Sequence, residues 1–134
     1  MSFWIAISSR RDQYHANAIA WQQAMMESSS RIVTTEAVLW EWLNALSHSS
    51  TRALAAEGYR LAHSDPVIEV IPCHAELITA AVNLFRSRPD KDWSLTDCFS
   101  LVVMEQRGLH EALTTDKHFE QAGMTALMLG QPNF

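Results

Sequence analysis

SLTDCFSLVVMEQRGLHEALTTD, residues 94–116, decides the fold. Ser94 is a natural helix cap, Leu95, Cys98, Phe99, Val102 and Val103 recur at helical spacing as a buried stripe, and Gly108 supplies the stop. EALTT at 111–115 then reads as a strand, KHFEQAG at 117–123 as a short helical turn, and TALML at 125–129 as a second strand. The same alternation extends upstream. VIEVI at 67–71 is a β-branched run broken at Pro72, after which Leu77, Ile78, Ala81, Leu84 and Phe85 mark an amphipathic helix, and RSRPDKDW at 86–93 is a loop. IVT at 32–34 is strand-like, with Thr34 or Thr35 placed to cap a helix over 36–47. Residues 49–63 allow a helix with Leu54, Gly58, Leu61 and Ala62 on one side.

Tyr14, Ala18, Trp21 and Met25 form one helical stripe that ends at SSSR, residues 28–31, and FWIAI at 3–7 reads as a strand or the remnant of one. Strands alternating with helices imply βα units, and so an α/β fold with a mainly parallel sheet covered on both faces. Ligands of such sheets gather beyond the carboxyl ends of the strands.

Length and charge narrow the function. The 134 residues suit one domain, 1–134, and the 48% hydrophobic content excludes a disordered chain. Ten basic against fifteen acidic residues give a formal charge of −5, which argues against holding nucleic acid by blanket phosphate neutralisation. Cys73 and Cys98 form no CxxC pair and suit a reducing cytoplasm. The arginines follow the short apolar opening rather than precede it, so no export signal is read, and no apolar stretch is long enough to span a membrane.

Glu41, Asp97 and Asp116 are the candidate site residues. Glu41 interrupts VLWEWLNAL on the side of Val38, Trp42 and Ala45. A helix from 97 to 107 travels roughly 16 Å and a strand from 111 to 116 returns about 17 to 20 Å, so Asp97 and Asp116 become neighbours. Glu41, in the second turn of a helix leaving a strand's carboxyl end, can face the same rim. Each acid also has a plain structural role open to it: Asp97 in a capping box with Ser94, Asp116 as cap of the helix starting at Lys117, Glu41 in an ion pair with Arg52 or Arg60. Converging carboxylates without compensating lysines repel, and hard oxygen ligands suit Mg²⁺ or Mn²⁺. Such an ion polarises a phosphodiester and activates water, so no side-chain nucleophile is required.

Residues 94–127 closely resemble the C-terminal half of PIN-domain proteins, including VapC-like toxins, in the SLTD segment with Asp97 and the ALTTDKHF segment with Asp116. TTEAVLWEWLNAL at 34–46 resembles the segment bearing the family's internal acid, which falls on Glu41, and RRDQYHANA at 10–18 resembles its first helix. The resemblance implies a three-layer α/β/α fold and a Mg²⁺- or Mn²⁺-dependent endoribonuclease with Glu41, Asp97 and Asp116 as catalytic metal ligands. It further implies RNA as substrate, a cognate antitoxin and a homodimer.

One departure matters. The family opens with a hydrophobic strand ending in Asp-Thr-Ser or a similar tripeptide, whose aspartate is a principal metal ligand; here Ser2-Phe3-Trp4-Ile5 aligns just after it, and Met1 stands where the threonine would be. Either the chain begins at an internal methionine of a longer reading frame, or the first ligand is lost and with it the central strand, so the first strand is expected to be truncated or absent here. The competing expectation is a catalytically impaired PIN-like module that binds RNA or protein. An upstream in-frame hydrophobic run ending in Asp-Thr would favour the enzyme, and a stop codon immediately before Met1 would favour the binder.

The remaining chemistry-bearing residues are less specific. The six histidines form no HxxxH pair, though His118, two residues past Asp116, is placed either to touch substrate or to cap and pack. Ser2, Ser94 and Thr115 offer hydroxyls to a metal's waters or to turns and caps. Trp21 and Trp42 belong to core stripes, and Arg10, Arg11, Arg86 and Arg88 guide RNA or carry solvated charge.

Overall fold

Thr35 stands where a strand turns directly into a helix. β1 (Ile32–Thr35) ends on it, α3 (Glu36–Ala45) begins after it, and its side chain accepts the Val38 N–H at 3.2 Å. This cap is worth about 1 kcal/mol. The computed structural model describes residues 2–132, without the Ser2 side chain. The hydroxyl of Ser2 and the alignment of Met1 thus lie outside the described residues.

After α3 the chain passes through α4 (Arg52–Ser64) into β2 (Ile68–Ile71), which pairs parallel with β1 from Ile32↔Ile68 to Thr35↔Ile71. The helices α5 (Ala75–Ser87) and α6 (Leu95–Arg107) follow and pack on each other. α6 starts on a reciprocal capping box between Ser94 and Asp97 and stops at Gly108, whose φ of 65° is the left-handed value glycine tolerates without strain. A second parallel pair, β3 (Glu111–Ala112) and β4 (Thr125–Ala126), is connected through α7 (Lys117–Gln121), and a single 3-10 turn, Leu127–Leu129, ends the described elements. The architecture is therefore α/β with only parallel strand pairs among the described residues, as expected.

Several local expectations need correction. FWIAI is not a strand: it lies in helix α1 (Ser2–Ser8), with Phe3 and Ala6 buried on one face against α2 (His15–Glu27). A five-residue apolar run fits either period, and packing against a neighbouring helix decides it here. EALTT and TALML are strands only at 111–112 and 125–126, since Thr114 closes a turn onto Ala112 and Leu127–Leu129 tightens into the 3-10 turn.

Leu95, read as buried, is 40% exposed in the first turn of α6, and of the stripe expected on α5 Leu77 and Ala81 are buried while Ile78 and Phe85 are exposed. On α4 the buried residues are Ala55 and Ala62, with Leu54 and Leu61 exposed. Gly58 is in that helix because the Trp42 ring lies against it: a Cβ there would come within 2.2 Å of Trp42 Cη2.

The core lies in two clusters. One joins Ala37, Ile71, Leu77, Ala81, Trp93, Cys98 and the inner face of α6; the other joins Phe3, Ala6, Ala18, Trp21 and Met128. The second cluster is fastened by Asn17 Nδ2, which donates to the carbonyls of Met128 at 2.6 Å and Gly130 at 3.1 Å, and by Trp21 Nε1, which donates to Gly130 O at 3.1 Å. No helix among the described residues is long and apolar enough to cross a membrane.

Candidate metal centre

Asp97 and Asp116, 19 positions apart in the sequence, are brought together by the return of the chain from α6 through β3. Asp97 occupies the third position of α6: its N–H donates to Ser94 Oγ at 3.0 Å and its Oδ2 accepts from Ser94 N–H at 3.1 Å. Asp116 caps α7, with Oδ1 accepting the His118 N–H at 2.9 Å, while its own N–H donates to Thr114 Oγ1 at 3.0 Å. Both structural roles that the sequence allowed are thus realised. The same two helix starts also aim their carboxylates at each other.

His118 completes the group. Its Nδ1 lies 3.0 Å from Asp97 Oδ2 and 3.4 Å from Asp116 Oδ1, and one ligand atom from each of Asp97, Asp116 and His118 falls within 4.8 Å of the others. The imidazole shares the space between two carboxylates that pair with no Lys or Arg among the described residues. Asp97 is the more enclosed, with 15% of its side chain exposed against 42% for Asp116, so the group opens to solvent on the Asp116 side. Burial, and then the Asp97 charge, push the neighbouring Cys98 thiol above its ordinary value.

The cap bonds leave Asp97 Oδ1 and Asp116 Oδ2 uncommitted among the described residues. Two carboxylates and an imidazole form a donor set that fits a divalent cation, with oxygens suited to Mg²⁺ or Mn²⁺ and a nitrogen that accepts the softer of these.

Glu41 is not part of this converging group. It is half-buried in α3, one turn beyond Ala37, which packs in the same cluster as Trp93 and Cys98. Of the ion pairs open to it, Arg60 is taken by Glu57 at 2.6 Å. The acid of α3 that is tightly held is Glu36: Tyr59 Oη donates to its Oε2 at 2.9 Å and His63 Nε2 lies 2.7 Å from its Oε1, which ties α4 to the start of α3. The hydrogen bond to Glu36 raises the Tyr59 pKa. The sequence signal for Glu36 was its first-turn position beside the Thr35 cap, and its partners, one helix away, could not be read from it.

Elsewhere, Trp21, Trp42 and Trp93 are buried and Trp40 is 49% exposed. Arg88 is engaged, forming two bonds to Asp90 and lying 5.2 Å over the Trp93 ring.

Comparison with known proteins agrees with this architecture. The crystal structure of Mycobacterium tuberculosis VapC20, described as a sarcin–ricin loop cleaving toxin, superposes with a TM-score of 0.80 at 24% sequence identity, covering 94% of each chain. No curated protein matches the sequence. The PIN domain family model matches residues 2–123, and the chain belongs to the PIN domain family.

Proposed function

We propose that this chain is a metal-dependent endoribonuclease that hydrolyses RNA phosphodiester bonds as the toxin of a toxin–antitoxin pair. The observation that carries the reading is the convergence of Asp97, Asp116 and His118 within 4.8 Å, just past the carboxyl end of β3. The fold it shares with VapC20, a toxin that cleaves the sarcin–ricin loop, supports RNA as the substrate class. Asp97 and Asp116 would hold the cation, Mg²⁺ or Mn²⁺, with His118 as third donor, and Glu41 of α3, which lies outside this group, is retained from the sequence as a further acidic ligand. When bound, the cation polarises the phosphodiester and activates water.

The chain's own residues do the positioning. Ser94 and the start of α6 fix the Asp97 carboxylate, Thr114 fixes the backbone of Asp116, and the Asp116 side chain in turn sets the start of α7 and hence the place of His118. The protein acts as a single domain in the cytoplasm, held inactive by a cognate antitoxin and assembled as a homodimer.

The test is RNA cleavage with Mg²⁺ or Mn²⁺ by the wild-type chain and by Asp116→Asn, with circular dichroism confirming the same fold. Cleavage by the wild type and its loss in the variant are expected; equal cleavage by both would remove the assignment. A second reading follows from one observation: the converging group contains two carboxylates, without Glu41. On that reading the chain binds RNA or protein without cutting. RNA retained in the presence of EDTA, and left intact when Mn²⁺ is restored, would favour it.

A further inference from the structure

The two acids of the converging group are held in different ways. Asp97 lies inside α6, where the capping box with Ser94 fixes it locally. Asp116 closes an irregular stretch, residues 113–116, between the end of β3 at Ala112 and the start of α7 at Lys117, and its side chain is 42% exposed. A ligand on such a stretch keeps its place to within about 0.5 Å only if other parts of the fold hold the backbone beneath it.

That support runs through Thr114, which is 5% exposed. Its N–H donates to Ala112 O at 3.0 Å, its Oγ1 accepts the Asp116 N–H at 3.0 Å, and its carbonyl accepts the Met128 N–H at 3.2 Å. The Met128 bond carries the path out of the stretch. Met128 is fully buried, and its carbonyl accepts from Nδ2 of Asn17, in the first turn of α2, at 2.6 Å. Leu113, beside Thr114, packs against the same cluster as Met128, so apolar contact follows the hydrogen bonds along this route. Asn17 Oδ1 is buried without a partner among the described residues. The side chain therefore serves as a double donor, to Met128 O and Gly130 O, and carries an unpaired acceptor that a leucine of similar size would not. A contiguous series of hydrogen-bonded and packed groups of this kind can couple distant sites energetically.

We propose that Asn17 is a positioning residue of the metal centre: by fixing the backbone of Met128 it holds Thr114, and through Thr114 it sets where the Asp116 carboxylate stands. The proposal rests on the reading of Asp116 as a cation ligand. On it, a helix that contributes no member to the converging group tunes the affinity of that group for its ion.

The full chain is compared with Asn17→Ala, Thr114→Val, the double variant and Trp21→Phe. Trp21→Phe removes the indole bond to Gly130 O but leaves the Asn17 bond to Met128 O, so it controls for general loosening of the same cluster. Amide exchange followed by NMR without metal is expected to be at least tenfold faster at Asp116, His118 and Met128 in Asn17→Ala, relative to the amides of α6, and to keep the wild-type ratio in Trp21→Phe. Calorimetry should show Mn²⁺ binding roughly tenfold weaker in Asn17→Ala and in Thr114→Val, with the double variant no weaker than the weaker single one. RNA cleavage lost at low Mn²⁺ should return when Mn²⁺ is raised by the same factor. Unchanged relative exchange at Asp116, equal loosening there in Trp21→Phe, or additive losses of Mn²⁺ affinity would each overturn the proposal. A wild-type chain that binds no Mn²⁺ would instead remove the nuclease reading, and the exchange ratios alone would then decide whether Asn17 holds Asp116.

Discussion

His118 Nδ1 lies 3.0 Å from Asp97 Oδ2, joining the start of α7 to the start of α6. On the proposed reading this imidazole both donates to a cation and holds Asp97 in place. His118→Ala is therefore expected to weaken Mn²⁺ binding roughly 10- to 100-fold, the usual cost of losing such support. Calorimetric titration measures it, and unchanged affinity would leave His118 as a packing residue only.

Capping and chemistry separate at Asp97. Ser94→Ala removes the hydroxyl that accepts the Asp97 N–H and is expected to lower stability by about 1 kcal/mol while leaving measurable RNA cleavage. Asp97→Asn keeps a side-chain acceptor for the helix start but loses the charge, so cleavage should fall by roughly 100-fold or more with a small change in melting temperature. Urea unfolding and single-turnover cleavage on both variants give the two readouts, and parallel losses in both would refute the separation.

Gly58→Ala sets two effects against each other. Alanine in a helix is favoured over glycine by about 1 kcal/mol, but the new Cβ would stand 2.2 Å from Trp42 Cη2. Displacing a buried indole costs typically 1–3 kcal/mol, so the net change should be a lower melting temperature. A rise would show that Trp42 yields freely.

Acid titration should report the pair between Glu69 and Arg107, whose guanidinium bonds both carboxylate oxygens at 2.7 and 2.6 Å and holds the Glu69 pKa below the ordinary 4.5. The folded value is depressed, so the pair's contribution is present above about pH 4.5 and is lost as pH falls through the folded value. Because the pair is exposed, salt should screen it. Asp90, lowered to about 2 chiefly by its bonds to Arg88, should titrate lower still. NMR titration of the carboxyl carbons checks both, and Arg107→Gln should return Glu69 toward 4.5.

Where local chemistry dictates structure, the sequence was readable. Ser94, Asp97 and Gly108 bracket α6 through caps that act within a few residues, and Thr35 does the same for α3. The meeting of Asp97 and Asp116 followed from the rise per residue of a helix and a returning strand. What could not be read depends on packing between distant segments: FWIAI becomes helical because Phe3 and Ala6 find α2, and the strands β3 and β4 stop early because the chain turns at Thr114 and Leu127. His118 carried a weak signal, its place two residues beyond a helix cap. Its position between both acids emerges only in three dimensions.

The grip of Asn17 and Trp21 on the carbonyls of Met128 and Gly130 makes the carboxyl-terminal stretch a latch across α2. Proteolytic trimming back past Met128 would leave Asn17 and the Trp21 indole without these acceptors and would open the space that the fully buried Met128 side chain fills. Resistance to carboxypeptidase at that point thus becomes a direct gauge of whether the amino-terminal helices are docked.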